Sequence, residues 1–288
     1  MVVSLRPPPA RPSRTEVGGS AACRSKLELA ANLWFGDDVH MEGFDTSTYG
    51  ESFADVYDEW YGDAGEVEAV VDALVALAGA GPVLELGIGT GRLALPLARR
   101  GFEVHGIDAS PAMVARLGAK PGGAALAVTV ADFADVAVEV PGGFGLVLAA
   151  YNTLFNLTSA DAQRRCLANV ARCLRPGGAL VVEAFVPSTE PDSATGDVTA
   201  SAVEAGRVVL QVTRRHPATQ TVDGSVVSIT EGGIRLRPWH IRYAPPDEID
   251  AMAAAAGLEL TDRWSGWQGQ PFGAESTNHV SVYRRPTA

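Results

Sequence analysis

The sequence predicts an α/β fold with a mostly parallel sheet of seven strands and helices on both of its faces. Short apolar runs alternate with amphipathic segments between residues 82 and 185, which is typical of parallel strands joined by helical crossovers. A glycine-rich turn joins the first strand to the first helix of this series. After residue 185, strand-like runs are joined by tight turns, which predicts an antiparallel meander inserted after strand five.

Two amphipathic helices are expected before the first strand, over residues 47–61 and 66–78. The first carries aromatic residues at a spacing of four, namely Tyr49, Phe53, Tyr57 and Tyr61. This spacing would align four rings along one helix face. The pattern fits a lid that closes over a ligand, and it fits equally a helix that only packs against the domain.

The remaining elements follow from the periodicity of apolar residues. The expected core strands are 82–86, 103–107, 124–130, 144–150 and 179–185, and the helices between them are 90–100, 110–117 and 160–174. The meander is expected over 207–214, 220–230 and 234–243, followed by a helix at 246–256 and strands at 258–264 and 278–285.

These elements divide the 288 residues into five regions. They are a flexible extension (1–40), lid helices (41–80), the core (81–186), an antiparallel lid that shapes the acceptor site (187–245), and a C-terminal helix and strands that complete the sheet (246–288). The extension is rich in Pro, Arg, Ser and Gly and shows no sustained period, so it is expected to be flexible.

The overall charge excludes several classes of partner. A net charge of −11 opposes binding to nucleic acids and to anionic membranes, both of which select basic surfaces. No apolar run approaches the roughly 20 residues of a membrane span, and the first residues lack the apolar core of a signal peptide. The three cysteines have no metal-type spacing. We therefore expect a cytoplasmic protein with a small-molecule substrate, without metal, nucleic acid or membrane.

The glycine-rich turn has the spacing E-x-G-x-G-x-G, from Glu85 to Gly91. Glycines at these positions permit a tight turn and a close approach of ligand to backbone. A nicotinamide-binding turn has the spacing G-x-G-x-x-G. Arg92 stands where its third glycine would lie, which opposes the alternative of a nicotinamide-dependent oxidoreductase.

Five segments in register resemble the class I S-adenosylmethionine-dependent methyltransferases, which have a Rossmann-like fold. They are the turn itself, VHGID at 104–108, ADF at 131–133, LAAYNTLFNL at 148–157 and LRPGG at 174–178. The resemblance implies S-adenosyl-L-methionine as cofactor and S-adenosyl-L-homocysteine as product. A non-catalytic protein that binds S-adenosylmethionine remains an alternative.

The resemblance also implies which residues bind the cofactor. Glu85 and Gly87 would bound its methionine end, and Ala149 would offer a carbonyl to its ammonium. The turn that contains Gly89 and Gly91 would face the methionine carboxylate and the ribose, and Tyr57 of the lid helix is a further candidate to cover the methionine end. Asp108, next to Ala109, ends the second strand and would accept hydrogen bonds from both ribose hydroxyls. Asp132 and Phe133 would bind the adenine.

The insertion after strand five resembles the lids of methyltransferases that act on natural products, including amino-sugar N,N-dimethyltransferases. It implies methyl transfer by in-line displacement to a natural-product intermediate, with nitrogen or carbon as the favoured acceptor atom and oxygen as the alternative. A homodimer formed through the lid is also implied. Tyr151-Asn152 is followed by Thr153, which departs from the Asn-Pro-Pro-Tyr motif of enzymes that methylate nucleic-acid amino groups.

Candidate residues on the acceptor side come from the lid helix, the end of strand four and the meander. The catalytic candidates are His240, Tyr57, Tyr151 and Asn152. The candidates for acceptor binding are Tyr49, Tyr151, His216, Trp239, Tyr243 and Trp267. Among them, His240 has a side chain suited to a general base near neutral pH.

Overall fold

The computed structural model describes residues 41–61, 64–135, 138–188 and 196–287. The extension predicted over residues 1–40 lies outside these described residues. No helix within the described ranges is both long enough and apolar enough to cross a membrane. The same residues contain no group of three His, Cys, Asp or Glu side chains that could hold a metal ion.

The described residues form eleven strands. They are β1 (Val83–Leu86), β2 (Val104–Asp108), β3 (Ala127–Val130), β4 (Phe144–Ala149), β5 (Leu174–Phe185), β6 (Asp197–Val203), β7 (Arg207–His216), β8 (Thr221–Thr230), β9 (Gly233–Arg242), β10 (Glu259–Trp264) and β11 (Asn278–Arg284). The larger sheet has the order β10-β11-β5-β4-β1-β2-β3. Strands β10 and β11 are antiparallel to their neighbours and the others are parallel, which confirms the predicted seven-stranded sheet.

The α-helices cover both faces of this sheet. They are α1 (Thr48–Phe53), α2 (Tyr57–Tyr61), α3 (Ala64–Ala78), α4 (Ala94–Arg99), α5 (Pro111–Gly118), α6 (Ala160–Cys173) and α7 (Pro246–Ala255). Alternate residues of the central strands enter two hydrophobic clusters: Leu84 packs on the side of α6 and α7, and Val83 on the side of α3 and α4. All residues of β1 and β4 are buried, as expected for central parallel strands.

The antiparallel meander forms a separate sheet, in the order β6-β7-β8-β9. The sequence predicted three strands inserted into the main sheet, and it missed β6. The residues of β6 are almost all exposed, so this edge strand carries little of the apolar alternation that marks a half-buried strand. We call the four strands β6–β9 the lid sheet.

The single helix predicted over residues 47–61 is wrong, because α1 and α2 are separated by a turn at residues 54–56. In this turn, Asp55 forms salt bridges of 2.9 Å with both Arg235 and Arg237 of β9. Tertiary contacts thus override a regular helical spacing. The break leaves the four aromatic residues in two ring pairs. The centroid distance is 4.6 Å between Tyr49 and Phe53 and 5.0 Å between Tyr57 and Tyr61.

Two further boundaries differ from the prediction for local reasons. The helix expected from residue 90 begins at Ala94, because Gly91 has a φ of +82° and cannot lie within a right-handed helix. The strand expected from residue 124 begins at Ala127, because a 3-10 turn occupies Gly123–Ala125.

Candidate active site

A cavity of about 410 Å³ opens where β1, β2 and β4 end at their carboxyl edge. Its volume lies within the range of roughly 300–1,000 Å³ that is usual for small-molecule sites. The turn after β1 forms one end of the cavity, and we call this the turn end. Residues of the N-terminal segment, the loop after β4 and strand β9 form the other side, which we call the lid end.

The glycines of the turn serve two different purposes. Gly87 and Gly89 line the cavity with φ values of +65° and +55°. A Cβ at Gly87 would lie 2.8 Å from Thr153 Cγ2, so a side chain there would push against the loop after β4. Gly91 lies below the cavity, where a Cβ would approach Leu117 Cδ1 to 2.3 Å. Gly91 therefore permits α4 and α5 to pack closely and is not among the residues that line the cavity.

Asp108 closes the bottom of the turn end. One of its carboxylate oxygens accepts a hydrogen bond from the Gly89 N–H at 2.7 Å, and the other accepts from the Ser110 N–H at 2.8 Å. Burial raises the pKa of Asp108, and the two backbone donors oppose that rise. Asp108 and the adjacent Ala109 both line the cavity, so this carboxylate is accessible to hydroxyl donors of a ligand.

A carboxyl group and a guanidinium have unsatisfied atoms at the turn end. Within the described part of the chain, Glu85 Oε2 and Arg92 Nη2 are buried without a hydrogen-bond partner. The second guanidinium nitrogen, Nη1, donates to the Tyr61 carbonyl at 2.9 Å, and Arg92 Cζ lies 3.4 Å from the centroid of the Tyr151 ring. Burial raises the pKa of Glu85 to about 8, although Arg92 lowers it. A buried acceptor beside a buried donor fits the ammonium and carboxylate of an amino-acid head group.

Of the two residues predicted to bind the adenine, Phe133 lines the cavity and Asp132 does not. Phe133 lines the cavity together with Ala109 and Met113. The side chain of Asp132 accepts a hydrogen bond from the Ala134 N–H at 2.8 Å and is not a lining residue. Ala149 is buried at the end of β4, and its neighbour Ala150 lines the cavity instead.

Two carboxylates of the N-terminal helices, Glu51 of α1 and Asp58 of α2, form hydrogen bonds with the elements around the cavity. Glu51 accepts hydrogen bonds from Ser110 Oγ at 2.7 Å and from the Ala112 N–H at 2.9 Å, at the start of α5. Asp58 accepts from Thr90 Oγ1 at 2.5 Å and from Lys120 Nζ at 2.7 Å, next to the glycine turn. These contacts join the lid-end segment to elements that border the turn end, namely the start of α5 and the glycine turn.

The two tyrosines predicted to face a ligand, Tyr49 and Tyr57, both line the cavity. Burial raises the pKa of Tyr57 to about 12 and raises that of Tyr49 well above its usual range. Both side chains are therefore neutral phenols at physiological pH, able to donate a hydrogen bond but unable to act as bases.

The loop after β4 places one of its two candidates in the cavity. Tyr151 and Asn152 both adopt left-handed backbone conformations, with φ values of 52° and 64°. The Tyr151 ring lines the cavity. The Asn152 side chain turns away to β5, where its Oδ1 accepts from the Phe185 N–H at 2.7 Å. Asn152 thus shapes the loop and is not a lining residue.

Strand β9 contributes His240 to the lid end. Its side chain is only 2% exposed, and the Phe44 ring lies edge-on at a centroid distance of 5.9 Å. His240 Nδ1 lies 2.6 Å from Asp223 Oδ1, directly across the β8–β9 pair. His216 lies outside the lining residues and instead contacts the second oxygen of Asp223.

The remaining acceptor candidates lie outside the lining residues of the cavity. Trp239 points to the opposite face of β9 from His240 and is buried over Gly224, where a Cβ would approach its ring to 2.0 Å. The Tyr243 ring packs at 6.4 Å from that of Phe185. Trp267 packs against the cluster of buried side chains on the α3 side of the sheet.

Sequence reasoning missed three contributions to the site. It used Arg92 only as an obstacle to a nicotinamide cofactor, whereas this side chain lines the cavity. It did not consider the segment 44–46, which also lines it. It overlooked Asp223, although a signal was present. The two-residue turn Glu231-Gly232 pairs Thr230 with Gly233, and counting seven residues away from the turn on each strand pairs Asp223 with His240.

Comparisons with known proteins bear on the fold and the family of the chain. Residues 83–178 match the family of methyltransferase domains. The chain is 32% identical over 213 residues to the cypemycin N-terminal methyltransferase of a Streptomyces species, covering 70% of this chain and 82% of that protein.

Two solved structures share the fold over most of the chain. The CcbJ methyltransferase of Streptomyces caelestis is 41% identical with a TM-score of 0.76, covering 84% of this chain and all (100%) of that one. The sugar N-methyltransferase KedS8 of a Streptoalloteichus species is 25% identical with a TM-score of 0.59, covering 85% of this chain and 99% of that one. The chain therefore belongs to the class I S-adenosylmethionine-dependent methyltransferases.

Proposed function

We propose that the protein methylates an amine nitrogen of a natural-product intermediate. The observation that carries this proposal is His240, buried at the lid end and hydrogen-bonded to a carboxylate. An amine must lose its proton before it can attack, and an imidazole is better matched to an α-ammonium group, of pKa about 8, than to a phenol, of pKa about 10. Two relatives are named as methylating an N-terminus and a sugar nitrogen, which supports a nitrogen acceptor.

The turn end would hold the cofactor. The unsatisfied Arg92 Nη2 would bind the carboxylate of its methionine part, and Glu85 Oε2 its ammonium. Asp108 would accept from the ribose hydroxyls, and Phe133 would pack against the adenine. When bound, S-adenosylmethionine supplies an electrophilic methyl group on a sulfonium that leaves as a neutral thioether.

The lid end would hold the acceptor in line with that methyl group. Tyr49, Tyr57 and Tyr151 line the cavity together with His240, so they would position the acceptor and exclude water. Tyr57 would also cover the methionine end of the cofactor, because it lines the same cavity as Arg92.

The function is tested with the purified full chain, tritiated S-adenosylmethionine and a panel of acceptors. The panel contains an amino sugar, a short peptide with a free N-terminus, sarcosine, and a catechol as an oxygen acceptor. We expect the label in the organic product of at least one amine, with the methyl group assigned to nitrogen by NMR. Transfer only to oxygen or carbon would refute the amine assignment. Cofactor binding without any transfer would favour the non-catalytic alternative.

We also propose that the protein forms a homodimer through its lid sheet. By the strand register, one face of this sheet carries a set of exposed apolar residues: Val198, Val203, Val212, Ile229, Ile234 and Leu236. Ile234 and Leu236 are 70% and 62% exposed. An apolar sheet face of this kind is unusual on a monomer, and a second copy would bury it.

Sedimentation analysis of the double variant Ile234→Glu/Leu236→Glu tests the dimer. We expect a dimer for the wild type and a monomer for the variant, because two charges on each subunit would be buried without partners. The matched control is Leu260→Glu on β10, an exposed leucine outside the lid sheet, which should remain dimeric. A monomeric wild type would refute the proposal. The cytoplasmic location remains a prediction from the sequence.

A further inference from the structure

A single carboxylate, that of Asp223, bridges two histidines on three adjacent strands of the lid sheet. Its Oδ1 lies 2.6 Å from His240 Nδ1, and its Oδ2 lies 2.8 Å from His216 Nε2. The exposed fraction of the side chain is 2% for His240, 25% for Asp223 and 16% for His216. The cluster therefore extends from the lid end of the cavity towards the surface of the sheet.

The hydrogen bonds of this cluster define the tautomers of both imidazoles. Burial alone would raise the pKa of Asp223, but hydrogen bonds from His240 and His216 lower it, so the carboxylate is ionised near neutral pH. An ionised carboxylate only accepts hydrogen bonds, so each histidine must donate to it. His240 then carries its hydrogen on Nδ1, and in the neutral ring the lone pair lies on Nε2.

We propose that Asp223 and His216 are positioning residues that hold His240 in the form of a general base. Asp223 fixes the tautomer and orientation of His240 and stabilises the imidazolium that forms there. His216 donates a hydrogen bond to the second oxygen of Asp223 and so prevents the carboxylate from rotating. The inference rests on the proposed methylation of an amine, and it assigns His216 to the support of the base instead of to acceptor binding.

The proton transfer balances in charge and atoms. The acceptor ammonium gives one proton to His240 Nε2, and the pair of the broken N–H bond becomes the lone pair of the amine. That lone pair forms the new N–C bond while the C–S bond breaks and its electrons remain on sulfur. The product is an N-methylated ammonium and a neutral thioether, and His240 returns its proton to water when the product leaves.

Other charged groups face this cluster from the elements around it. Arg214 lies directly opposite Asp223 on β7, and the next residue of β9 on the same face is Arg242. Arg242 is paired with Glu248 of α7 at 2.5 Å. Within the cavity, the ionisable neighbours from other elements are Asp45, Tyr49, Tyr57, Glu85, Arg92, Asp108 and Tyr151. The carboxylate hydrogen-bonded to His240 is that of Asp223.

The tautomers can be read directly by NMR of the full chain with 15N-labelled histidine and S-adenosylhomocysteine, so this test needs no acceptor. In the wild type at neutral pH, we expect hydrogen on Nδ1 of His240 and on Nε2 of His216. Asparagine offers one accepting oxygen and one donating amide, so Asp223→Asn should change the tautomer of at least one of the two rings. The control Glu204→Gln removes an exposed lid carboxylate and should change neither. Hydrogen on Nε2 of neutral His240 in the wild type would overturn the proposal.

A double-mutant cycle tests the catalytic consequence with whichever amine the wild type methylates. Asp223→Asn should lower kcat about 10–100-fold with little change in cofactor affinity, and the acid limb of its pH profile should move to lower pH. In a His240→Ala background the same substitution should cost nothing further. If Asp223→Asn lowered kcat equally in the wild type and in the His240→Ala background, Asp223 would have only a structural role, and the proposal would be overturned.

The two proposals fail in different ways. If the wild type methylates no amine, the proposed function is wrong, and the tautomers measured by NMR still report on the cluster. If the wild type methylates an amine but His216→Gln and Asp223→Asn both keep full kcat and an unchanged pH profile, only the role of the cluster is refuted. Thermal unfolding of each variant separates a loss of fold from a loss of the base.

Discussion

The two ends of the cavity are built from very different stretches of chain. At the turn end, Glu85, Gly87, Gly89 and Arg92 lie within eight consecutive residues, and Asp108 joins them from the neighbouring strand. At the lid end, segment 44–57, the loop after β4 and His240 of β9 meet across long distances in sequence. The turn end is thus fixed by local backbone geometry, and the lid end depends on how distant elements pack.

Under the proposed function, this difference places acceptor specificity at the lid end. A turn built from adjacent residues binds a constant cofactor, whereas a surface assembled from three separate segments can vary with the acceptor. The two ends should therefore be separable by substitution. A change at His240 should affect turnover alone, and a change at the turn end should affect cofactor affinity.

The largest expected effect is at the lid end, from His240→Ala. Loss of a general base costs roughly 10²–10⁴-fold in rate, so kcat at neutral pH should fall by about that factor. Cofactor affinity measured by calorimetry should change little, since His240 belongs to the lid end of the cavity. The activity should partly recover at high pH, where the free amine no longer needs a base.

The control for His240→Ala is His105→Ala, which removes a histidine of β2 that pairs with the exposed Glu103 outside the cavity. Its kcat should remain close to that of the wild type. If His240→Ala instead lowered cofactor affinity and kcat together, the two ends would not be independent.

The next effect is at the turn end, from Arg92→Ala. A charged hydrogen bond in a buried site contributes about 1.5–3 kcal/mol, so cofactor affinity should fall roughly 10–150-fold. The same variant removes the stacking on Tyr151, and calorimetry of S-adenosylhomocysteine measures the combined loss. Arg92→Lys should restore only part of the affinity, because an ammonium cannot reproduce the planar fork of a guanidinium.

Arg99→Ala is the matched control for Arg92→Ala, because it removes the same charge from the exposed face of α4. Its affinity should equal that of the wild type. Unchanged affinity in Arg92→Ala itself would refute the assignment of this residue to the carboxylate of the cofactor.

The core of the fold was predictable because its signals are local. The alternation of apolar runs gave the strands of the parallel sheet, and the glycine spacing gave the turn with Asp108 at the adjoining strand end. The break between α1 and α2 was not predictable, because it depends on salt bridges from Asp55 to Arg235 and Arg237, some 180 residues later by number.

The lid end was predictable only as a set of candidates. Alternation along β9 placed Trp239 and His240 on opposite faces, yet only the packing of the lid sheet decides which face meets the cavity. Both residues were therefore candidates, and the structure brings only His240 to the lining. The turn at Glu231-Gly232 fixes the register that pairs Asp223 with His240, but it does not determine which face of β9 meets the cavity.

The smallest expected effect concerns Glu85 in the cofactor-free protein. Its pKa is about 8 in the folded chain against an ordinary value of 4.5, so between these pH values the folded state holds a proton that the unfolded state releases. The contribution of Glu85 to stability is complete below about pH 4.5 and is lost as pH rises through 8. We expect the melting temperature of the wild type to fall by a few degrees relative to Glu85→Gln between pH 5 and about pH 8.5.

Cofactor binding should reverse the effect of Glu85 on the pH dependence of stability, because the proposed site places the cofactor ammonium next to this carboxyl group. A bound ammonium beside Glu85 Oε2 favours the ionised carboxylate, so binding near pH 7 should release a proton. Calorimetry in two buffers with different heats of ionisation measures that release, and Glu85→Gln should abolish it. The exposed Glu59→Gln serves as control and should leave it unchanged. A wild type that releases no proton would show that the ammonium lies elsewhere, and the turn end would then bind its ligand through Arg92 and Asp108 without this acid.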